Sequence, residues 1–186
     1  MEPHDGLAVC PGCGRREDGA AIAPLFVVTG ASGSGKTTVY APLARLLAGR
    51  CVTFDADLLM DAAGELSGDR PIRWPAFRAA WLAAAHGVAQ SGLATVLLGP
   101  FIPSQLDELP ARRWVGPVRF LVLDRPDDLR RERMQARPGW RSRDITEQTE
   151  FGRWSRVHIP ERVDTPPQDA ATAVAAWVTG QLTALA

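Results

Sequence analysis

The chain has 186 residues, 46% of them hydrophobic, which suits one compact domain with a full core. Its 21 basic and 21 acidic residues cancel, so no charge field marks a nucleic-acid or membrane partner, and no apolar run reaches the roughly 20 residues of a membrane helix. Three cysteines make no disulfide framework and residues 1–18 lack a charged-then-apolar leader, so a cytoplasmic protein is expected, a monomer or a homodimer.

Residues 1–23 read as a polar, Gly-rich appendage, and residues 24–186 as the folded domain. Cys10-Pro11-Gly12-Cys13 in the appendage supplies half of the four ligands that structural zinc takes. His4, Cys51 or a partner chain could complete the set but nothing specifies them, so two free thiols are expected rather than a metal site. From residue 25 strand and helix alternate. Residues 25–30 are an apolar run ending in a Gly-rich turn, the pattern of a buried parallel strand. Residues 36–50 place Val39, Leu43, Leu46 and Leu47 at helical spacing, with Gly49 near the end and Pro42 as an expected kink. Residues 51–55 read as a second strand, 56–64 as a short helix, and 74–92 as a long helix stopped by Gly92. Trp74, Phe77, Trp81, Ala85 and Val88 share a stripe of that helix. Strands are expected at 95–99 and 118–124. Helices follow at 126–137, which opens with proline and acids, at 145–157, and at 171–186. Such alternation predicts a parallel sheet with helices on both faces, binding its ligands beyond the carboxyl ends of the strands.

The strongest signal lies where the first strand meets the first helix. Gly30-Ala31-Ser32-Gly33-Ser34-Gly35-Lys36-Thr37 matches G-x-x-x-x-G-K-[ST] at every fixed position. Glycines let the backbone bend around phosphate oxygens, and the helix N-terminus, with Thr38 in its first turn, adds a favourable dipole. Lys36 is expected on the terminal phosphates and the Thr37 hydroxyl on Mg2+. Composition sharpens this: of the 21 basic residues Lys36 is the sole lysine and the other 20 are arginine. A lysine kept against that background marks a place where a compact ammonium fits and a planar guanidinium does not. With its one lysine at position 36, the chain holds no guanine-specifying N-K-x-D motif. Asp61-Ala62-Ala63-Gly64 has the form of a D-x-x-G switch but follows the wrong element.

With this loop and its flanking elements the chain resembles the small-molecule kinases of the P-loop class, among them adenylate, shikimate and gluconate kinases and the chloramphenicol phosphotransferases. The resemblance covers roughly residues 24–186. It implies a five-stranded parallel sheet in the order 2-3-1-4-5, a short lid, ATP and Mg2+ as cofactors, and γ-phosphate transfer to a hydroxyl of a small molecule. Asp55 and Asp57, at the end of the second strand, resemble the D-x-D of shikimate kinases. By that likeness Asp57 contacts the acceptor hydroxyl and Asp55 lies near the metal and the acceptor; the competing reading has Asp57 merely capping the next helix. Arg133 and Arg137, four apart on one helix face, resemble the R-x-x-x-R of the lid entry. There the first packs on the adenine and the second approaches the phosphates, with Arg141 and Arg143 in the lid beyond. Val163-Asp164-Thr165-Pro166-Pro167 resembles the segment after the lid helix that leads into the adenine-side loop; the competing reading has Asp164-Thr165 as a turn and helix start. No motif fixes the acceptor's cationic partners: Arg73, Arg78, Arg112 and Arg113 are candidates, with Arg78 on the helix that borders the acceptor pocket in this class. Trp74 and Trp81 belong either to that pocket or to the core, and His86 and His158 show no ligand spacing. The competing functions are a nucleotide kinase with a phosphate acceptor and a non-catalytic nucleotide-binding regulatory module.

Overall fold

The structure, a computed structural model, describes residues 2–4, 7–9, 16–18, 22–60, 73–136, 145–164 and 166–185. The zinc question at Cys10 and Cys13, the D-x-x-G at 61–64, and the lid arginines Arg137, Arg141 and Arg143 lie outside these residues. So does Thr165.

The chain opens with three short strands, β1 (Glu2–His4), β2 (Leu7–Val9) and β3 (Arg16–Asp18), paired antiparallel in that order. The sequence reading assigned no strands here. Three-residue strands are too short for an alternating pattern to show against a polar background. The main sheet holds β4 (Leu25–Thr29), β5 (Cys51–Asp55), β6 (Ala94–Leu98), β7 (Val118–Leu123) and β8 (Arg162–Val163) in the spatial order β5-β6-β4-β7-β8, all parallel. Counted within this sheet the order is the expected 2-3-1-4-5. The fifth strand has only two residues and left no trace in the hydrophobic pattern.

The register of β4 shows how one strand builds both halves of the core. Phe26 and Val28 face Val39, Leu43 and Leu47 of the α1 region (α1, Lys36–Leu46) and Val174 and Val178 of the closing helix. Leu25 and Val27 face the opposite way, toward Phe77, Trp81, Leu82 and Ala85 of α2 (Trp74–Ala89) and Phe101 and Leu106. A strand buried on both faces reads as a nearly continuous apolar run, and every residue of β4 and β6 is buried, including the two threonines, Thr29 and Thr95. Helix α1 continues through Pro42. Leu46, expected on the buried stripe, is 47% exposed, because the helix ends there and Leu47 turns inward instead.

The segment after β5 begins as a 3-10 turn, Ala56–Leu59, and 61–64 of the helix expected over 56–64 lie outside the described residues. Between β6 and β7 come a five-residue helix α3 (Pro103–Asp107) and a second 3-10 turn (Pro110–Trp114), neither foreseen. Then follow α4 (Asp127–Gln135), α5 (Ile145–His158) and α6 (Pro167–Leu185), the last beginning four residues before the expected start. The loops after β4, β5, β6 and β7 emerge on one side of the sheet, and the candidate site is assembled from them.

Candidate nucleotide and acceptor site

The P-loop runs from Gly30 to the first turn of α1. Gly33 and Gly35 have φ of 83° and 107°, a backbone region that residues with side chains avoid. A Cβ on Gly33 would also lie 2.9 Å from the backbone oxygen of Arg130, so α4 packs directly on the loop. Lys36 folds back over the loop, its Nζ donating to the carbonyls of Gly30 and, at 3.2 Å, Ala31. The Ser34 hydroxyl is buried without a partner among the described residues, and Thr37 and Thr38 are exposed on the first turn of α1. Two guanidinium groups lean over Gly35: a Cβ there would stand 3.7 Å from Arg133 Nη1 and 4.0 Å from Arg125 Nε. Arg125 Nε is buried and unpartnered among the described residues. Burial, and then the charge of Arg133, lower the Arg125 pKa, and among the described residues neither guanidinium is in an ion pair. These features fit a polyanion such as a triphosphate.

Asp55 ends β5, 7% exposed. Its Oδ1 accepts from the Asp57 amide at 3.1 Å, which makes Asp55 the cap of the following 3-10 turn. The capping role considered for Asp57 therefore belongs to Asp55, and the Asp57 side chain is left to line a cavity. Burial pushes the Asp55 carboxyl up; the Asp57 amide pulls it down, the Asp57 charge pushes it up again, and the Thr37 hydroxyl and the Lys36 ammonium pull it down. A buried carboxylate hydrogen-bonded to the Thr37 hydroxyl is a donor set that suits a hard divalent cation such as Mg2+, which takes oxygen ligands and waters.

A cavity of about 250 Å³ lies beside the loop, lined by Asp57, Met60, Trp74, Arg78, Gln105 and Gln148, among others. Trp74 and Trp81 part company here. Trp81 is 4% exposed, tilted against Phe54 at 5.4 Å, and belongs to the core, whereas Trp74 is 36% exposed at the cavity wall. Of the four arginines proposed for the acceptor, only Arg78 reaches the cavity. Arg112 holds its own loop through Asp107 and the carbonyls of Val115 and Gly116, and Arg113 lies 4.8 Å from the Trp114 ring centroid. Arg73 does not line the cavity. His86 and His158 serve structure: their Nδ1 atoms meet the Trp114 and Trp154 carbonyls at 2.8 Å.

Three residues that no motif singled out surround the loop, and one of them, Gln148, joins it to the cavity. Gln148 on α5 accepts the Ser32 amide through Oε1 at 2.8 Å and also lines the cavity. Arg130, 1% exposed, donates from Nη1 to the carbonyls of Gln148 (3.1 Å) and Ser32 (3.5 Å), and from Nη2 to Asp127 (2.8 Å). Gly152 makes room for that guanidinium: a Cβ there would stand 2.7 Å from Nη2. The third is Arg125. A second cavity, about 410 Å³, opens between Asp124, Arg125, Asp127, Arg156 and Asp164, at the carboxyl ends of β7 and β8.

A family model described as an AAA domain matches residues 25–150, more than half of the chain and the whole span from β4 into α5. The chain belongs to this AAA-domain P-loop family. No curated protein matches it. Among solved structures, this AAA-domain chain is similar to a sugar kinase from Janibacter sp. HTCC2649 (23% identity, TM-score 0.60, 84% of this chain and 95% of that one). It is also similar to a gluconokinase from Sinorhizobium meliloti 1021 (23%, TM-score 0.54, 89% and 98%) and to the shikimate kinase of Aquifex aeolicus (16%, TM-score 0.56, 86% and 98%). At these identities the likeness carries the fold.

Proposed function

We propose that this protein is an ATP-dependent phosphotransferase acting on a hydroxyl of a small molecule, in the cytoplasm. The observation that carries the reading is the adjacency of two distinct places: a phosphate-binding loop, and a separate cavity with a carboxylate, Asp57, in its wall, the two joined through Gln148. Bound ATP with Mg2+ supplies the phosphoryl group and offsets the charge that spreads over its oxygens. The P-loop amides and Lys36 hold the phosphates. Thr37 and Asp55 hold the metal. Asp57 orients the acceptor hydroxyl and takes its proton. Arg133 and Arg125 sit against the loop where phosphate charge develops. Arg137, outside the described residues, keeps the catalytic role that the family resemblance gives it. The base takes the second cavity, next to Asp164. The solved kinases of this fold support the reading by analogy of architecture.

The test is ATP turnover against a panel of hydroxylated metabolites, beside ATP affinity by calorimetry. ATP binding together with acceptor-dependent release of ADP is expected. Binding without turnover on any acceptor would leave a nucleotide-binding regulatory module.

A further inference from the structure

The two cavities beside the P-loop give a bound nucleotide a direction, and the role this direction gives to Gln148 presupposes that the protein is a kinase. Arg125 lines the second cavity, and its Nε stands 4.0 Å from where a Cβ on Gly35 would lie, so the loop meets the proposed base site near Gly35. At Ser32 the loop meets the acceptor cavity instead, through Gln148, which binds the Ser32 amide and lines that cavity. A nucleoside triphosphate carries its base at one end and its γ-phosphate at the other. Transfer needs the γ-phosphorus within about 3–3.5 Å of the acceptor oxygen. The γ-phosphate therefore belongs at the Ser32 end of the loop, where Gln148 stands.

Gln148 is a fixed donor at that place. It is 7% exposed, and its main-chain carbonyl is pinned at 3.1 Å by Nη1 of the buried Arg130. The Ser32 amide is a donor, so the side-chain oxygen must face it, at 2.8 Å, and the Nε2 end of the amide is left over. No hydrogen bond occupies Nε2 among the described residues. A largely buried donor without a partner is costly, and a ligand oxygen removes that cost. The acceptor hydroxyl does not need this donor: its proton goes to Asp57 and its lone pair to phosphorus. The γ-phosphate oxygens do. They carry charge, and a hydrogen bond to a charged oxygen is about twice as strong as one between neutral groups.

We infer that Gln148 recognises the γ-phosphate: Oε1 holds the Ser32 amide while Nε2 donates to a γ-phosphate oxygen. ATP fills that hydrogen bond and ADP leaves it empty. Gln148 stands on α5, and Glu147 and Phe151 of the same helix also line the acceptor cavity. The contact thus steadies one wall of the acceptor site when the triphosphate is bound and releases it once the phosphoryl group has left.

The experiment measures the affinity of the full chain for ADP and for adenylyl imidodiphosphate, each with Mg2+, by calorimetry, in the wild type, Gln148→Met and Gln148→Glu. The readout is the ratio of the two affinities, because a loosened loop weakens both ligands together and leaves the ratio alone. Methionine removes the donor, and the ratio is expected to move about tenfold against the triphosphate analogue, the effect of one lost hydrogen bond to a charged oxygen. Glutamate keeps an oxygen for the Ser32 amide, so the melting temperature and the affinity for ADP should hold. It also sets a carboxylate against the γ-phosphate, so its shift in the ratio should exceed that of methionine. An unchanged ratio in both variants overturns the role. The wild type supplies a check free of mutation: the analogue should slow hydrogen exchange across residues 145–158 more than ADP does, and equal exchange with the two ligands also overturns it. A wild-type chain that binds neither nucleotide rejects the nucleotide reading together with this role. A shifted ratio in a protein that transfers phosphate to no acceptor removes the kinase reading and leaves γ-phosphate recognition standing.

Discussion

Two strands of the sheet, β5 and β7, deliver an aspartate to the same side of the molecule, and the two aspartates meet opposite environments. Asp124, just beyond β7, receives Arg156 Nε at 2.7 Å and Nη2 at 3.2 Å. Its neighbour Asp127 takes Arg156 at 2.6 Å and Arg130 at 2.8 Å, and these guanidinium groups hold its carboxyl down at about 2. Asp55, at the end of β5, has hydrogen bonds from the Asp57 amide and the Thr37 hydroxyl, feels Lys36 only as a more distant charge, and is pushed up by burial. In the sequence the two places look alike: an apolar strand, an aspartate, and a second acid two or three residues later. What separates a structural rivet from a reactive acid is whether a guanidinium arrives from elsewhere in the chain. At β7 two arrive, one of them from α5, 32 residues away. At β5 none does among the described residues, and the proposed function uses the carboxylates left there for a metal and an acceptor.

The largest expected effects break the reactive side. Lys36→Ala is expected to lose on the order of 10³ in turnover, the scale of removing a group that stabilises developing charge, with an unchanged melting temperature. Lys36→Arg is expected to fail as well, because a planar fork does not fit where the ammonium folds back onto the Gly30 and Ala31 carbonyls; near-normal activity in that variant would refute the inference drawn from the lone lysine. Asp57→Asn is expected to cost ~10²–10⁴ in turnover while ATP affinity measured by calorimetry stays within a few-fold. Since Asp55 and not Asp57 caps the 3-10 turn, stability should also hold, and wild-type turnover would remove Asp57 from the site.

Asp55→Asn sharpens the contrast. The folded pKa of Asp55 is raised, so its contribution to stability is present while the carboxyl is protonated and is lost as pH rises through the folded value. Asparagine keeps the neutral, capping form at all pH. The melting temperature at neutral pH should therefore be equal or higher, while Mg2+-dependent affinity for ATP drops by roughly tenfold or more. A clear loss of stability would show that the charge at position 55 serves the fold.

The smallest effects lie on the rivet. Arg156→Met leaves Asp124 and Asp127 short of a partner and is expected to cost about 1–3 kcal/mol, seen as a fall in melting temperature of a few degrees per kcal/mol. Asp127 works with the opposite sign to Asp55. Its folded pKa is depressed from the ordinary 3.8 to about 2, so its contribution is full above pH 3.8 and is lost as pH falls toward 2. The wild-type protein should lose stability across that window more steeply than the Arg156→Met variant, by urea titration at stepped pH.

The sequence alone determined the class of fold, the phosphate loop and the direction in which the site faces, because each of these depends on residues close together in the chain. The apolar run of β4, the glycine spacing from Gly30 to Gly35 and the lone Lys36 are local signals with local causes: buried parallel strands read as nearly continuous apolar runs, and backbone that curls around phosphate needs glycine. Tertiary structure decided the rest, through contacts between distant residues that no spacing encodes. Gln148 on Ser32 spans 116 positions and Arg130 on Ser32 spans 98, so neither could be read as part of the site. Arg125 became a candidate only when the end of β7 was set beside Gly35. Trp74 and Trp81 share a helical stripe in the sequence, yet packing buries one and leaves the other at the cavity wall, since a stripe says which face is apolar and not where that face runs out. The short elements, β1–β3, α3 and β8, were missed for a related reason: segments of two to five residues have no period, and their pairing and packing partners alone define them.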